Sequence, residues 1–124
     1  MGQGRGSAAV SVVMACLLVL QYCGMVHAAV YTVGDDQGWT FNVDSWPDQK
    51  RFHAGDTLVF NYSPVAHNVV AVNKVGYNRC ISPRGSKVFQ TGNDQIKLVK
   101  GQNFFICNLP GHCQSGMKIA ITAI

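Results

Sequence analysis

Charge is scarce in this 124-residue chain. Charged side chains make up only 13% of it against 48% apolar residues, a balance that excludes a disordered or highly solvated chain. Ten Lys and Arg face six acidic residues, and the basic ones form no run. A nucleic-acid binder, which clusters its cations on one face, is therefore not expected. No internal repeat or low-complexity stretch is visible, and the length allows one ordinary domain. No paired acid–base group stands out either, so an enzyme is not expected.

The one extended apolar stretch lies near the N-terminus. From Ala8 to Leu20 the chain carries no charge, Arg5 precedes the run, and Val26-His27-Ala28 closes it with small residues at the outer positions. A basic start, an apolar segment of about a dozen residues and a small-x-small ending describe a secretory signal. The competing reading is a membrane-spanning helix, but the run is short and no Lys or Arg cluster follows it. Residues 1–28 are thus read as a cleaved leader and residues 29–124 as the mature domain. The leader takes Cys16 and Cys23 with it. It also takes Met1, Met14 and Met25, leaving Met117 as the only methionine, and His27, leaving His53, His67 and His112. Three cysteines remain, Cys80, Cys107 and Cys113. They cannot all pair within one chain, so one is a free thiol, an intermolecular bridge or a metal ligand.

Turn signals recur at short spacing along the mature chain, among them Gly34-Asp35-Asp36, Ala54-Gly55-Asp56, Ser63-Pro64, Ser82-Pro83 and Pro110-Gly111. Between them lie runs rich in β-branched and aromatic residues: Val30–Val33, Thr57–Tyr62, Asn68–Val72, Lys87–Phe89, Gln95–Leu98, Asn103–Cys107 and Lys118–Thr122. This spacing predicts an antiparallel sandwich or barrel. Ile119 and Ile121 alternate with Lys118 and Thr122, and Ile96 and Leu98 with Gln95 and Lys97, so one face of each strand is buried. Asn73–Cys80 has room for a short helical turn, which Gly76 keeps from growing long.

The informative segment is C-N-L-P-G-H-C-Q-S-G-M, from Cys107 to Met117. It places a thiol, an imidazole and a thioether at C-x4-H-x4-M spacing on one loop between two strands. A second imidazole, His67, opens another strand. A thiolate, two imidazoles and a weak thioether describe a copper electron-transfer site, in which the sulfurs suit Cu(I) and the imidazoles Cu(II). Zinc fits less well, because structural zinc takes four strong Cys or His donors. Taken singly, each group has an ordinary reading: Met117 as core filler, His67 as a hydrogen-bonded imidazole, His112 as a surface residue, Cys107 as half of a disulfide. It is their joint occurrence that points to a metal. Strand alternation turns Cys107 inward with Phe105. Cys113, beside His112 on the loop, is then free to bridge to Cys80, whereas a Cys107–Cys113 bridge would close only a tight loop and use up the soft donor.

With these residues in place, the sequence resembles the phytocyanins, plant blue copper proteins, and within them the plantacyanin subgroup. The resemblance runs through V-Y-T-V-G near the start, G-W-T-F-N at Gly38–Asn42, R-F-H-A-G-D-T-L-V-F-N-Y at Arg51–Tyr62 and H-N-V-V at His67–Val70. It continues through D-Q-I-K-L at Asp94–Leu98 and F-I-C-N-L-P-G-H-C-Q-S-G-M-K-I at Phe105–Ile119. It implies an all-β, cupredoxin-like Greek-key sandwich of two sheets with at most short helical turns. It also implies one copper ion held by His67, Cys107, His112 and an axial Met117, and a Cys80–Cys113 disulfide. Asn68 is expected to hydrogen-bond across the ligand loops.

The function expected from this set is one-electron transfer by Cu(II)/Cu(I) cycling in a secreted, extracellular, monomeric protein without a stable membrane anchor. A different class is an extracellular signalling or adhesion protein that uses the copper fold as a scaffold. Four ligands leave no open coordination position, which argues against metal-assisted catalysis. Leu109, Pro110 and Gly111 beside His112, with Pro64 and Val65 near His67, form either an apolar docking patch or ordinary loop packing. The mild positive charge favours an acidic protein or an anionic cell-wall component as partner. His53 is read as a surface residue and Trp39 and Trp46 as packing residues. The Asn61-Tyr62-Ser63 sequon is followed by Pro64 and overlaps a strand, which counts against its use.

Overall fold

The computed structural model describes residues 28–124; the leader assigned to residues 1–28 lies outside them apart from Ala28. Seven strands form two sheets. The first sheet holds β1 (Val30–Thr32), β2 (Thr57–Asn61) and β5 (Asn93–Lys97), in the order β1-β2-β5. The second holds β3 (Val69–Val72), β4 (Lys87–Phe89), β6 (Gly101–Ile106) and β7 (Lys118–Ala123), in the order β4-β3-β6-β7. The seven expected strands are all present, with ends shifted by up to two residues. Asn68, Cys107 and Leu98 lie just outside theirs.

The expectation of purely antiparallel pairing needs one correction. β1 pairs with β2 in parallel, Val30 opposite Thr57. The residues between these two strands supply the long crossover that parallel pairing requires and a tight hairpin cannot. Every other strand pair is antiparallel.

The alternation read in the sequence is the alternation of burial. Ile119 and Ile121 are buried while Thr122 is exposed, and Leu58 and Phe60 of β2 face them across the sandwich. Trp39 meets Phe60 edge-on at a centroid distance of 5.0 Å, an arrangement aromatic rings prefer over flat stacking, and Phe60 meets Phe105 at a tilt, 5.3 Å away. Trp39 is fully buried and Trp46 packs against the same core. Tyr62 ties the two sheets together. Its hydroxyl donates to the carboxylate of Asp94 at the start of β5 and lies 3.1 Å from the carbonyl of Phe89 in β4. Burial, reinforced by the hydrogen bond to Asp94, pushes its pKa up to about 12.

The helical turn expected within Asn73–Cys80 is α1 (Lys74–Arg79). The Asn73 side chain caps it by accepting from the amide of Gly76. Gly76 is there for space: a Cβ would lie 2.8 Å from both the Ile81 carbonyl oxygen and the Val72 Cβ. The helix packs over the outer face of the second sheet. There Val70, Ile106 and Cys113 make a second, smaller core with Val72, Tyr77 and Cys80 around it.

Candidate metal centre

The registers of β3, β6 and β7 bring the sequence-predicted ligands together. Val70 pairs with Ile106, so the chain just before β3 runs beside the chain just after β6. That places His67 and Asn68 next to Cys107 and Asn108. On the other side Ile106 pairs with Lys118, and the Cys107 amide donates to the Met117 carbonyl at 3.0 Å. The Cys107–Met117 loop is thereby closed at its base. Within it, the amides of Ser115 and Met117 both donate to the His112 carbonyl, at 3.0 and 3.1 Å, around a 3-10 turn at Cys113–Ser115. His112 is held from its own backbone, and its side chain turns toward His67.

The donor atoms converge. The two Nδ1 atoms of His67 and His112 are 3.1 Å apart, and Cys107 Sγ lies 3.5 Å from His112 Nδ1. One donor atom from each of the three residues falls within a 4.8 Å span. Cys107 is fully buried and, among the described residues, unpaired, and both histidines are half-buried. Met117 is fully buried in the same core cluster as Cys107. No carboxylate belongs to this group among the described residues. Burial, with His112 close by as a second cause, lowers the pKa of His67, which keeps its ring neutral and able to donate a lone pair. One soft thiol and two imidazoles without an acidic oxygen suit copper, and oxygen-seeking cations such as magnesium or calcium do not fit.

The strand alternation sorts the cysteines as the sequence reading requires. Cys107 and Phe105 face the main core, whereas Ile106 faces the second core with Cys113. Cys113 is bonded to Cys80, with their Cα atoms 5.6 Å apart. The bridge fastens the end of α1 to the loop that carries His112.

Asn68 occupies the place expected of a clamp, and the structure identifies its partner. Its side-chain amide donates to Asn108 Oδ1 at 2.6 Å, and its Oδ1 accepts from the Asn108 amide at 3.1 Å. The Asn108 side chain in turn donates to Ser82 Oγ at 3.1 Å. The Asn68 carbonyl accepts from the indole N–H of buried Trp39 at 2.8 Å. Asn68 is 4% exposed, and its bond from Trp39 is shielded from water, while those to Asn108 are partly so. Asn68→Ala is expected to lower stability by about 1 kcal/mol, because both side-chain bonds to Asn108 are lost while the Trp39 bond to the backbone carbonyl stays. It should also weaken copper retention about tenfold through slack between the two ligand segments. Thermal unfolding and competition with a copper chelator check the two effects; a variant unchanged in both would mean that the strand register alone holds the loops.

Two residues at the site carried no chemical signal in the sequence. Asn108 lies between Cys107 and the Leu109-Pro110 turn and looks like an ordinary loop residue. Phe41 lies in a distant turn, yet its ring stands edge-on to both candidate ligands, with centroids 5.5 Å from His67 and 4.9 Å from His112. His53, read as a surface residue, is indeed exposed and stands apart from the cluster beside Asp56.

The comparisons with known proteins agree with this geometry. A family model described as a plastocyanin-like domain matches residues 39–117. The basic blue protein of Arabidopsis thaliana is 54% identical over 129 aligned positions, covering all of both chains. Among solved structures, the blue copper protein called cucumber basic protein is 64% identical with a TM-score of 0.77. The match covers 77% of this chain and all of that one. Spinach plantacyanin is 54% identical with a TM-score of 0.70, at the same coverage. A copper-compatible donor cluster, a cupredoxin-like two-sheet fold and relatives of this identity lead to one assignment: the chain belongs to the plastocyanin-like blue copper proteins, in the phytocyanin family alongside the plantacyanins, and its cofactor is one copper ion.

Proposed function

We propose that the protein is a secreted one-electron carrier whose copper is held by His67, Cys107, His112 and Met117. The observation that carries this reading is the convergence of one buried thiol and two imidazole nitrogens within 4.8 Å, the thiol and one imidazole from a loop that ends in a buried methionine and the other imidazole from the segment before β3. Bound by such donors, copper supplies reversible Cu(II)/Cu(I) exchange. The protein's part is to keep the donors from moving. Backbone bonds fix His112, the Asn68–Asn108 pair joins the two ligand segments, and the Cys80–Cys113 bridge restrains the loop from outside. A donor set that needs little rearrangement between two charge states suits fast electron exchange.

The rim of the site supplies the approach for a partner. Val65 is 94% exposed and Phe41 39%, and Pro64 and Pro110 are exposed beside them. An apolar rim around half-buried imidazoles suits brief contact with another surface, and the chain's positive charge favours an acidic protein or an anionic wall polymer. Secretion is supported by the leader pattern of residues 1–28 and by a disulfide in a small domain. No helix among the described residues is long and apolar enough to cross a membrane.

The visible absorption spectrum of residues 29–124, refolded and titrated with Cu(II), tests the reading. An intense blue band that saturates at one equivalent and bleaches with ascorbate is expected. A colourless protein, once its bridge and thermal transition are verified, would sink the assignment.

A further inference from the structure

Phe41 is a large apolar side chain whose position the core does not explain. It is 39% exposed and belongs to neither buried cluster. Its ring meets both candidate ligand imidazoles at steep angles, 82° to His67 and 70° to His112. The turn that carries it is fastened on two sides. On one side Trp39 donates its amide to the Asn61 carbonyl at 2.9 Å and its indole N–H to the Asn68 carbonyl at 2.8 Å. On the other side the amides of Asn42 and Val43 donate to the carbonyls of Ser115 and Gly116, at 3.2 and 3.0 Å. The first pair of bonds ties the turn to the segment of His67, the second to the loop of His112. Gly116 allows the contact: it has a φ of +84°, and a Cβ there would stand 2.9 Å from the Asn42 Cα. The backbone is thus built to hold one aromatic edge over two imidazoles at once.

We propose that Phe41 is a positioning residue of the metal centre, covering the solvent side of the His67 and His112 rings and fixing their edge-to-face arrangement. The proposal rests on the copper reading for its purpose, though the shielding itself is a property of the polypeptide. An apolar cover at this place limits water at the imidazoles. Less water disfavours the more highly charged oxidised state of a bound metal, so the cover raises the potential. Edge-to-face contacts between rings also contribute specific geometry beyond the area they bury.

Two measurements test this, one without metal. The folded apo chain is treated with diethyl pyrocarbonate at neutral pH, and the modification of His53, His67 and His112 is followed by peptide mass spectrometry. His53 is the internal reference, because its side chain is 57% exposed and remote from the cluster. In Phe41→Ala the labelling of His67 and His112 relative to His53 should rise severalfold, and Phe41→Tyr should restore the native ratio. Unchanged ratios in a folded Phe41→Ala chain would overturn the proposal. If that variant gives no thermal transition, Phe41→Val, which removes the ring and most of its reach over the imidazoles, carries the same comparison with the same two outcomes. The second measurement is the reduction potential of the copper-loaded protein, expected to fall in Phe41→Ala and to return in Phe41→Tyr. A shift in stability without a shift in labelling or potential would reduce Phe41 to a packing residue. A colourless protein that still shows the labelling change would fail the copper reading and leave the shielding intact.

Discussion

Cys107→Ser is expected to abolish the intense visible absorption of the copper-loaded protein while leaving the two sheets folded. The two effects separate because the thiol does two unequal jobs. As a packing group it is one fully buried atom at the end of β6, in contact with the core around Phe105 and Ile119. A serine hydroxyl there is smaller and more polar. It would still have His112 Nδ1, 3.5 Å from the sulfur it replaces, as a hydrogen-bond partner. The folding cost should therefore stay near 1–2 kcal/mol, about that of a buried hydroxyl with partial compensation. As a donor the thiol is irreplaceable. Serine offers a hard oxygen that does not ionise near neutral pH, where the thiolate is a soft, strongly bonding ligand. Losing an outer partner of a metal ligand already costs about 10–100-fold in affinity, so losing the ligand itself should exceed that range. A copper titration followed by absorbance and by competition with a chelator reads both signatures. Survival of the intense band in the serine variant would mean that sulfur–copper charge transfer is not its source, and Cys107 would lose its place in the site.

The candidate ligands were legible in the sequence because they sit where local pattern and chemistry coincide. Cys107, His112 and Met117 share one loop, and their spacing alone joins a thiol, an imidazole and a thioether. The sorting of the cysteines was legible too, since period-two alternation puts Phe105 and Cys107 on the opposite face from Ile106. His67 was readable only in kind, as one more imidazole beside a strand. Its approach to Cys107 depends on the register that sets Val70 against Ile106, and no local signal specifies that register. Asn68 could be expected to clamp something, but its partner Asn108 is fixed by the same pairing. Phe41 escaped altogether. It lies in an irregular turn, where no periodicity marks a buried face. Its relation to the histidines arises from backbone bonds to Ser115 and Gly116, more than seventy positions along the chain. The parallel pairing of β1 with β2 is of the same kind: three residues of strand carry no mark of the direction in which they will be paired. What a short window of sequence could not hold was the set of contacts made between distant segments, and these shape the solvent-facing side of the site.

Replacing both Cys80 and Cys113 with serine should produce a large loss of stability while leaving the donor atoms in place. The bridge spans a sequence separation of 33 residues. Removing such a cross-link frees the unfolded chain by roughly 4 kcal/mol in the loop-entropy model. In a domain of this size that should lower the midpoint of thermal unfolding by about 15–30 °C. The native state loses contacts as well, because Cys113 is 1% exposed and sits with Val70 and Ile106 in the small core under α1. The double variant is needed, since a single Cys80→Ser would leave a thiol at position 113, next to His112, free to compete for the metal. Well below its lowered midpoint the double variant should still turn blue with copper, because the bonds that close the ligand loop run from Cys107 to Met117 and from His112 to Ser115 and Met117, independently of the bridge. Copper should also recover part of the lost midpoint, as any ligand that binds only the folded state must. A fall of less than about 5 °C, little more than 1 kcal/mol in a domain of this size, would show that packing of α1 on the second sheet already restrains the chain. A variant that folds yet stays colourless would show the opposite: that the His112 loop depends on the bridge for its shape, and that the disulfide is part of what makes the three donors converge.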